Sequence, residues 1–163
     1  MIVSRLFGYC LQRRLKHFIK LKKRIKKNEG YRDKAYLDVL GFATIGYGHL
    51  IKKNENYLLK NHHSKSSLLK IFEIDFEESL TQYLRTYGNK RHKKNVKEVY
   101  IEMIFQLGLE NQLKFIKMDS NININKYYMA AFEMKNSLWY KQTPKRVDFL
   151  INILLKNKYE KKR

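Results

Sequence analysis

The sequence predicts an α+β fold, with an N-terminal helix and a small antiparallel sheet lobe joined by a long helix to a C-terminal helical bundle. Three observations predict it. Four of the seven glycines fall between Gly30 and Gly48, interleaved with Tyr31, Tyr36, Phe42, Ile45 and Tyr47. Through most of the remaining chain, apolar residues recur three or four apart. Strand-type and helix-type segments are segregated rather than alternating, which separates α+β from α/β. With 163 residues the chain suits one domain or two closely joined lobes with a buried core. Its 44% hydrophobic content and single Pro exclude a disordered or collagen-like chain.

Residues 1–28 carry Arg5, Arg13, Arg14, Lys16, Lys20, Lys22, Lys23, Arg24, Lys26 and Lys27 and no acid. Val3, Leu6, Phe7, Cys10, Leu11, Leu15, Phe18, Ile19 and Ile25 recur at helical spacing, so the segment reads as one long basic amphipathic helix. Its later half, from about Phe18, is expected to pack on the core. For residues 1–18 three readings stand: a solvated extension, a helix lying on an anionic membrane surface, or a targeting peptide of mitochondrial type. Arg5 interrupts any secretory h-region, and no stretch reaches the ~18–20 apolar residues of a membrane span.

The glycine-rich stretch predicts two or three short antiparallel strands, placing a small β lobe at about residues 30–63. A polar connection containing Lys52, Asn54, Asn61, His62 and His63 follows. Ser64 then caps a linking helix over about 64–88, whose apolar face runs Leu68, Ile71, Phe72, Phe76, Leu80, Tyr83, Leu84 and Tyr87, with Gly88 closing it. A helical lobe covers about 91–157. In it, Val96 to Leu107 is apolar on nearly all sides, the pattern of a buried central helix that Gly108 ends. Lys126–Lys141 reads as one helix with Tyr127, Ala130, Ala131, Met134 and Leu138 inward. Pro144–Lys156 reads as another, with Thr143 as N-cap and Pro144 at its first position. Residues 158–163 form a basic tail.

Thirty-five Lys and Arg against fifteen Asp and Glu give a net charge of +20, so the expected partners are anionic: nucleic acid, membrane or cell wall. One cysteine excludes an intramolecular disulfide and Cys-based zinc sites. His62 and His63 are adjacent and do not present two ligands on one face, so no metal and no cofactor are expected.

Acids are scarce in the first half, and Glu29 and Asp38 bracket the start of the predicted sheet. Two carboxylates across a cleft are the minimal equipment for glycoside hydrolysis, one protonating the leaving oxygen and the other activating water or attacking. Alone the pair is a weak signal, because surface acids at this spacing commonly offset nearby lysines. Asp75 raises a separate question. It falls between Phe72 and Phe76 on an apolar helix face, where an unpartnered carboxylate is costly, so a partner is required.

The context of the acids is more specific: Asn28-Glu29-Gly30, Tyr36-Leu37-Asp38, and Thr44-Ile45-Gly46-Tyr47-Gly48-His49. Further on stand Phe105-Gln106-Leu107-Gly108 and Trp139-Tyr140-Lys141-Gln142-Thr143-Pro144-Lys145-Arg146. Together these resemble the T-even phage-type lysozymes of glycoside hydrolase family 24, over about residues 19–157. The resemblance implies a lysozyme-like catalytic domain that cuts the β-1,4 bond between N-acetylmuramic acid and N-acetylglucosamine in peptidoglycan, inverting the anomeric centre. It implies Glu29 as general acid, Asp38 as the residue activating water, and Thr44 as a residue positioning that water. An acid that keeps its proton is expected to be partly dehydrated and its partner carboxylate wet.

The resemblance further places Leu50, Phe105 and Gln106 beside the saccharide cleft, pairs Arg146 with the catalytic acid, and makes His49 the structural partner of Asp75. For Leu50 and Phe105 ordinary packing is an equal reading. Three departures accompany these matches. The connection from His49 to Ser64 is shorter by about a dozen residues than in the best-known members. A cleft-bridging acid–arginine pair falls on Leu40 and Leu138. Residues 1–18 have no counterpart in the short T-even form.

The expected partner is peptidoglycan, with an anionic membrane surface engaged through residues 1–28 as a further expectation. Without a nucleic-acid motif, no specific nucleic acid is expected, and the protein is expected to be a monomer. A phage enzyme of this type waits in the host cytoplasm until released to the wall; the N-terminal helix as a targeting segment is the competing expectation. The alternative function is a cationic wall-binding or membrane-disrupting protein that kept the fold and lost catalysis.

Overall fold

A computed structural model of the protein describes residues 18–38 and 41–156. The expectations for the N-terminal extension before Phe18, for Leu40 and for the basic tail therefore lie outside the described residues. The chain divides into two compact units, one running to Glu78 and the other starting at Ser79.

The first unit begins with α1 (Ile19–Glu29), which buries Leu21 and Ile25 completely. Three short strands follow, β1 (Arg32–Leu37), β2 (Ala43–Gly46) and β3 (His49–Leu50), antiparallel in the order β1-β2-β3. Register is set by Tyr36 opposite Thr44, Thr44 opposite Leu50 and Ile45 opposite His49. A sheet this small is marginal alone and must be backed by helices. Ile45 supplies the backing contact, clustering with Leu58 and Leu68. Leu58 belongs to a 3-10 helix (Lys53–Leu59) within the stretch read from sequence as a polar connection.

The helix α2 (Lys65–Tyr87) starts as expected, with the Ser64 hydroxyl accepting from the Ser67 N–H at 3.2 Å. In its first half, Phe72 and Phe76 head an aromatic ladder. Phe18 lies 6.2 Å from Phe76, Phe72 is 6.4 Å from Phe76, Tyr47 meets Phe72 edge-on at 5.5 Å, and Tyr31 lies 5.2 Å from Tyr47. Two α1 lysines lie over this ladder. Lys22 sits 4.9 Å above the Phe76 ring and pairs with Glu73, while Lys26 sits 5.2 Å above Phe72. The basic helix thus sets two of its ammonium groups over aromatic faces.

In the second unit the remainder of α2 contributes buried Leu80, Tyr83 and Tyr87. The helix α3 (Lys94–Leu107) is the buried helix the sequence predicts, with Val96, Val99, Tyr100, Ile101, Met103 and Ile104 all inside. Gly108, at φ 77, ends it and returns its N–H to the Ile104 carbonyl. Tyr83, Tyr87, His92 and Tyr100 form a ring cluster, His92 stacking flat on Tyr100 at 5.2 Å. Its hydroxyls are engaged: Tyr83 shares a hydrogen bond with His92 Nδ1, Tyr87 donates to Gln112 and Tyr100 to Asp119. Burial pushes the imidazole of His92 below its ordinary value, so the ring sits neutral among the tyrosines.

Two short helices absent from the sequence reading follow, α4 (Leu109–Leu113) and α5 (Ile116–Asn123), the latter anchored by buried Met118 and Ile122. The helix expected over Lys126–Lys141 is instead two, α6 (Tyr127–Lys135) and α7 (Leu138–Gln142). Ser137 is the reason, because its side chain caps α7 by accepting from the Tyr140 N–H at 3.1 Å. Ala130, Ala131 and Met134 are buried as expected, but the break turns Leu138 outward, 69% exposed, where the sequence reading put it inside. The last helix, α8 (Pro144–Leu155), has Pro144 in its first turn. Thr143 stands at its N-cap position without capping; its hydroxyl donates to the Trp139 carbonyl at 3.2 Å instead.

Phe72 joins α2 to the ladder at its densest point and is 1% exposed. Replacing it with alanine should cost the first unit about 3–5 kcal/mol, read as a lowered denaturation midpoint.

Candidate active site

Glu29, Asp38 and Thr44 lie on successive pieces of the first unit. Glu29 is the last residue of α1, half-buried, and packs against the turn between β2 and β3. Asp38 follows β1 and begins the turn into β2. Its carboxylate Oδ1 accepts the Phe42 N–H at 2.8 Å, and its own N–H donates to the Phe42 carbonyl at 2.9 Å. Thr44, buried in β2, donates its hydroxyl to that same Phe42 carbonyl at 3.2 Å. Asp38 and Thr44 are therefore held through one residue, Phe42.

His49 is the most constrained polar residue of this unit. On β3 and 7% exposed, it presents Nδ1 to both oxygens of Asp75, at 2.9 and 3.1 Å, and Nε2 to Glu55 Oε2 at 3.1 Å. A ring with a carboxylate at each nitrogen donates from both only as the imidazolium. The hydrogen bond to Asp75 chiefly holds its pKa above the ordinary 6.5, with Glu55 adding to this and burial opposing it. Desolvation works to raise the Glu55 carboxyl, but the Lys52 N–H and His49 outweigh it and hold the group below its ordinary 4.5. The expected partnership of His49 with Asp75 is present. Glu55 is the partner the sequence did not reveal, because a Glu in a polar stretch gives no sign that its helix folds back over a strand.

The remaining expected residues are distributed over both units. Leu50, on β3, is 51% exposed. In the second unit Phe105 is half-buried near the end of α3. Gln106 accepts the Trp139 indole N–H at 2.9 Å and reaches the Thr143 hydroxyl at 3.5 Å, bracing α7 against α3. Arg146 on α8 donates from Nε to Glu102 Oε1 at 3.1 Å, and Glu102 is fully buried within α3. The sequence did carry a signal for Glu102: it is an acid amid the apolar run Val96–Leu107, and the requirement that gave Asp75 a partner applies equally to it. Among the described residues no group of His, Cys, Asp and Glu is placed to hold a metal ion, and no helix is long and apolar enough to cross a membrane.

Within the first unit the structure thus holds a carboxylate at a helix end, a second at a strand turn and a hydroxyl anchored with it. Residues 26–153 match the family described as phage lysozyme. A probable T4-type lysozyme 2 of Dictyostelium discoideum is 34% identical over 157 residues, covering 82% of this chain and 92% of the relative. A probable T4-type lysozyme 1 of the same organism is 29% identical over the same shares. The pre-baseplate central spike protein Gp5 of Enterobacteria phage T4 is 28% identical over 83% of this chain, which corresponds to 28% of that larger protein. The chain belongs to the phage lysozyme family, and it is a glycoside hydrolase of the lysozyme type that degrades peptidoglycan.

The His49 cluster gives the first unit a defined pH response. Because the folded pKa of His49 is raised, its stabilisation is complete below about pH 6.5 and is lost as pH rises through the raised value. Because that of Glu55 is lowered, its contribution is present above about pH 4.5 and is lost as pH falls through the lowered value. The cluster is expected to stabilise most between these limits. Equilibrium unfolding across pH should show stability declining on the alkaline side, and His49→Gln should flatten that decline.

Proposed function

We propose that this chain cuts the β-1,4 bond between N-acetylmuramic acid and N-acetylglucosamine, with Glu29 as general acid. Glu29 gives its proton to the glycosidic oxygen as the bond to the anomeric carbon breaks. A water attacks that carbon from the opposite sugar face and passes a proton to Asp38, while Thr44 orients the water. Attack by water without a covalent intermediate inverts the anomeric centre. The observation that carries the reading is the shared anchoring of Asp38 and Thr44 on Phe42, within the same compact unit as Glu29. Positioning on this scale is what a water-activating pair requires.

Leu50, Phe105 and Gln106 are proposed to line the saccharide path, with Arg146 and the His49–Asp75 pair as supporting residues. The +20 charge supports fast encounter with an anionic wall at low salt. It also favours a second reading, in which a cationic wall-binding protein acts without catalysis. The two part at Glu29. Purified peptidoglycan should yield new reducing ends with wild-type protein, and Glu29→Gln should lower the rate by about 10²–10⁴-fold while remaining folded by circular dichroism. Release that is unchanged in Glu29→Gln removes the acid assignment. Lysis of cells that persists in the variant without sugar release establishes the non-catalytic reading.

A further inference from the structure

The run Thr44-Ile45-Gly46-Tyr47-Gly48-His49 contains residues that the proposed chemistry does not use, and Gly48 is the one that touches it. Gly48 lies in the turn between β2 and β3 at φ +84, and a β-carbon built on it would stand 3.1 Å from Glu29 Oε2, 3.7 Å from Cδ and 3.8 Å from Cβ. Two forces fix the turn at this spot. Tyr47, immediately before it, is buried between Tyr31 and Phe72. His49, immediately after it, is held by Asp75 and Glu55. The turn therefore has little freedom to retreat from Glu29, and a side chain at position 48 would push the carboxyl by a few tenths of an ångström.

We infer that Gly48 is a positioning residue for the general acid: its bare backbone forms the wall against which the Glu29 carboxyl rests, and the anchored turn fixes where the acidic oxygen stands. The inference rests on Glu29 being the acid. A proton donor works only within hydrogen-bond reach of the leaving oxygen, where a displacement of about 1 Å costs on the order of 10²-fold in rate, so the few tenths of an ångström required here cost severalfold.

The test separates crowding from backbone strain. Gly108, at φ +77 with nothing within 4 Å of its β-position, carries a similar left-handed cost in open space. Gly48→Ala, Gly48→Asn, Gly108→Ala, Glu29→Gln and wild type are compared on soluble glycan strands from purified peptidoglycan, with melting temperatures measured alongside. Asn tolerates positive φ better than other side-chain-bearing residues, so Gly48→Asn carries the test if the alanine variant does not fold. The expected result for a folded position-48 variant is kcat lowered severalfold with KM within twofold. Gly108→Ala should lose stability while keeping kcat. A folded position-48 variant with wild-type kcat overturns the inference, as does a loss confined to KM or an equal loss of kcat in Gly108→Ala. If wild type releases no reducing ends, or Glu29→Gln matches it, the acid reading itself fails. If those two behave as expected and Gly48 is silent, only the wall fails.

Discussion

The first unit is organised around one histidine ring. Its sheet has a third strand of only two residues, and a ladder that short contributes few hydrogen bonds of its own. What fixes β3 is His49, gripped on one side by Asp75 from α2 and on the other by Glu55 from the 3-10 helix. Three pieces of chain are tied by one ring. The tie is directional, whereas the Ile45, Leu58 and Leu68 cluster beneath the sheet is not. Packing of that kind favours compaction; two carboxylates on two ring nitrogens specify the register. The turn that leads into β3 inherits this precision, and Glu29 rests on that turn.

A chain with so few acids places several of them where charge is expensive. Glu102 is fully buried against Arg146, and Asp75 and Glu55 are largely covered against His49. Such pairs add little net stability compared with apolar substitutes, but removing one member strands the other. The surplus of lysine and arginine behaves differently. On α1, Lys22 and Lys26 hold their ammonium groups over aromatic rings, and Lys22 also pairs with Glu73, so these charges sit against aromatic faces with compensation.

Legibility followed the range of the interaction. The apolar face of α2, the Ser64 cap and the Gly108 stop depend on residues within a turn or two of each other, and all are present as read. Glu29, Asp38 and Thr44 were named only through the resemblance that their flanking motifs carry, because two acids at that spacing are a weak signal by themselves. The break at Ser137 was hidden because helical periodicity continues through it; only the cap distinguishes two short helices from one, and Leu138 was misplaced as a result. The α4 and α5 helices are too short to build a recognisable stripe. Glu55 was hidden for a different reason: its partnership spans chain segments that sequence spacing does not relate.

The indole of Trp139 belongs to the chain's one tryptophan and sits almost fully covered in the second unit, with Gln106 accepting its N–H and Phe115 standing edge-on at 5.9 Å. The first unit, by contrast, is lit only by tyrosines such as Tyr31 and Tyr47. Excitation at the red edge, where tyrosine does not absorb, therefore interrogates the helical unit alone. The protein thus carries a built-in optical label that distinguishes melting of its helical half from melting of the half that bears Glu29.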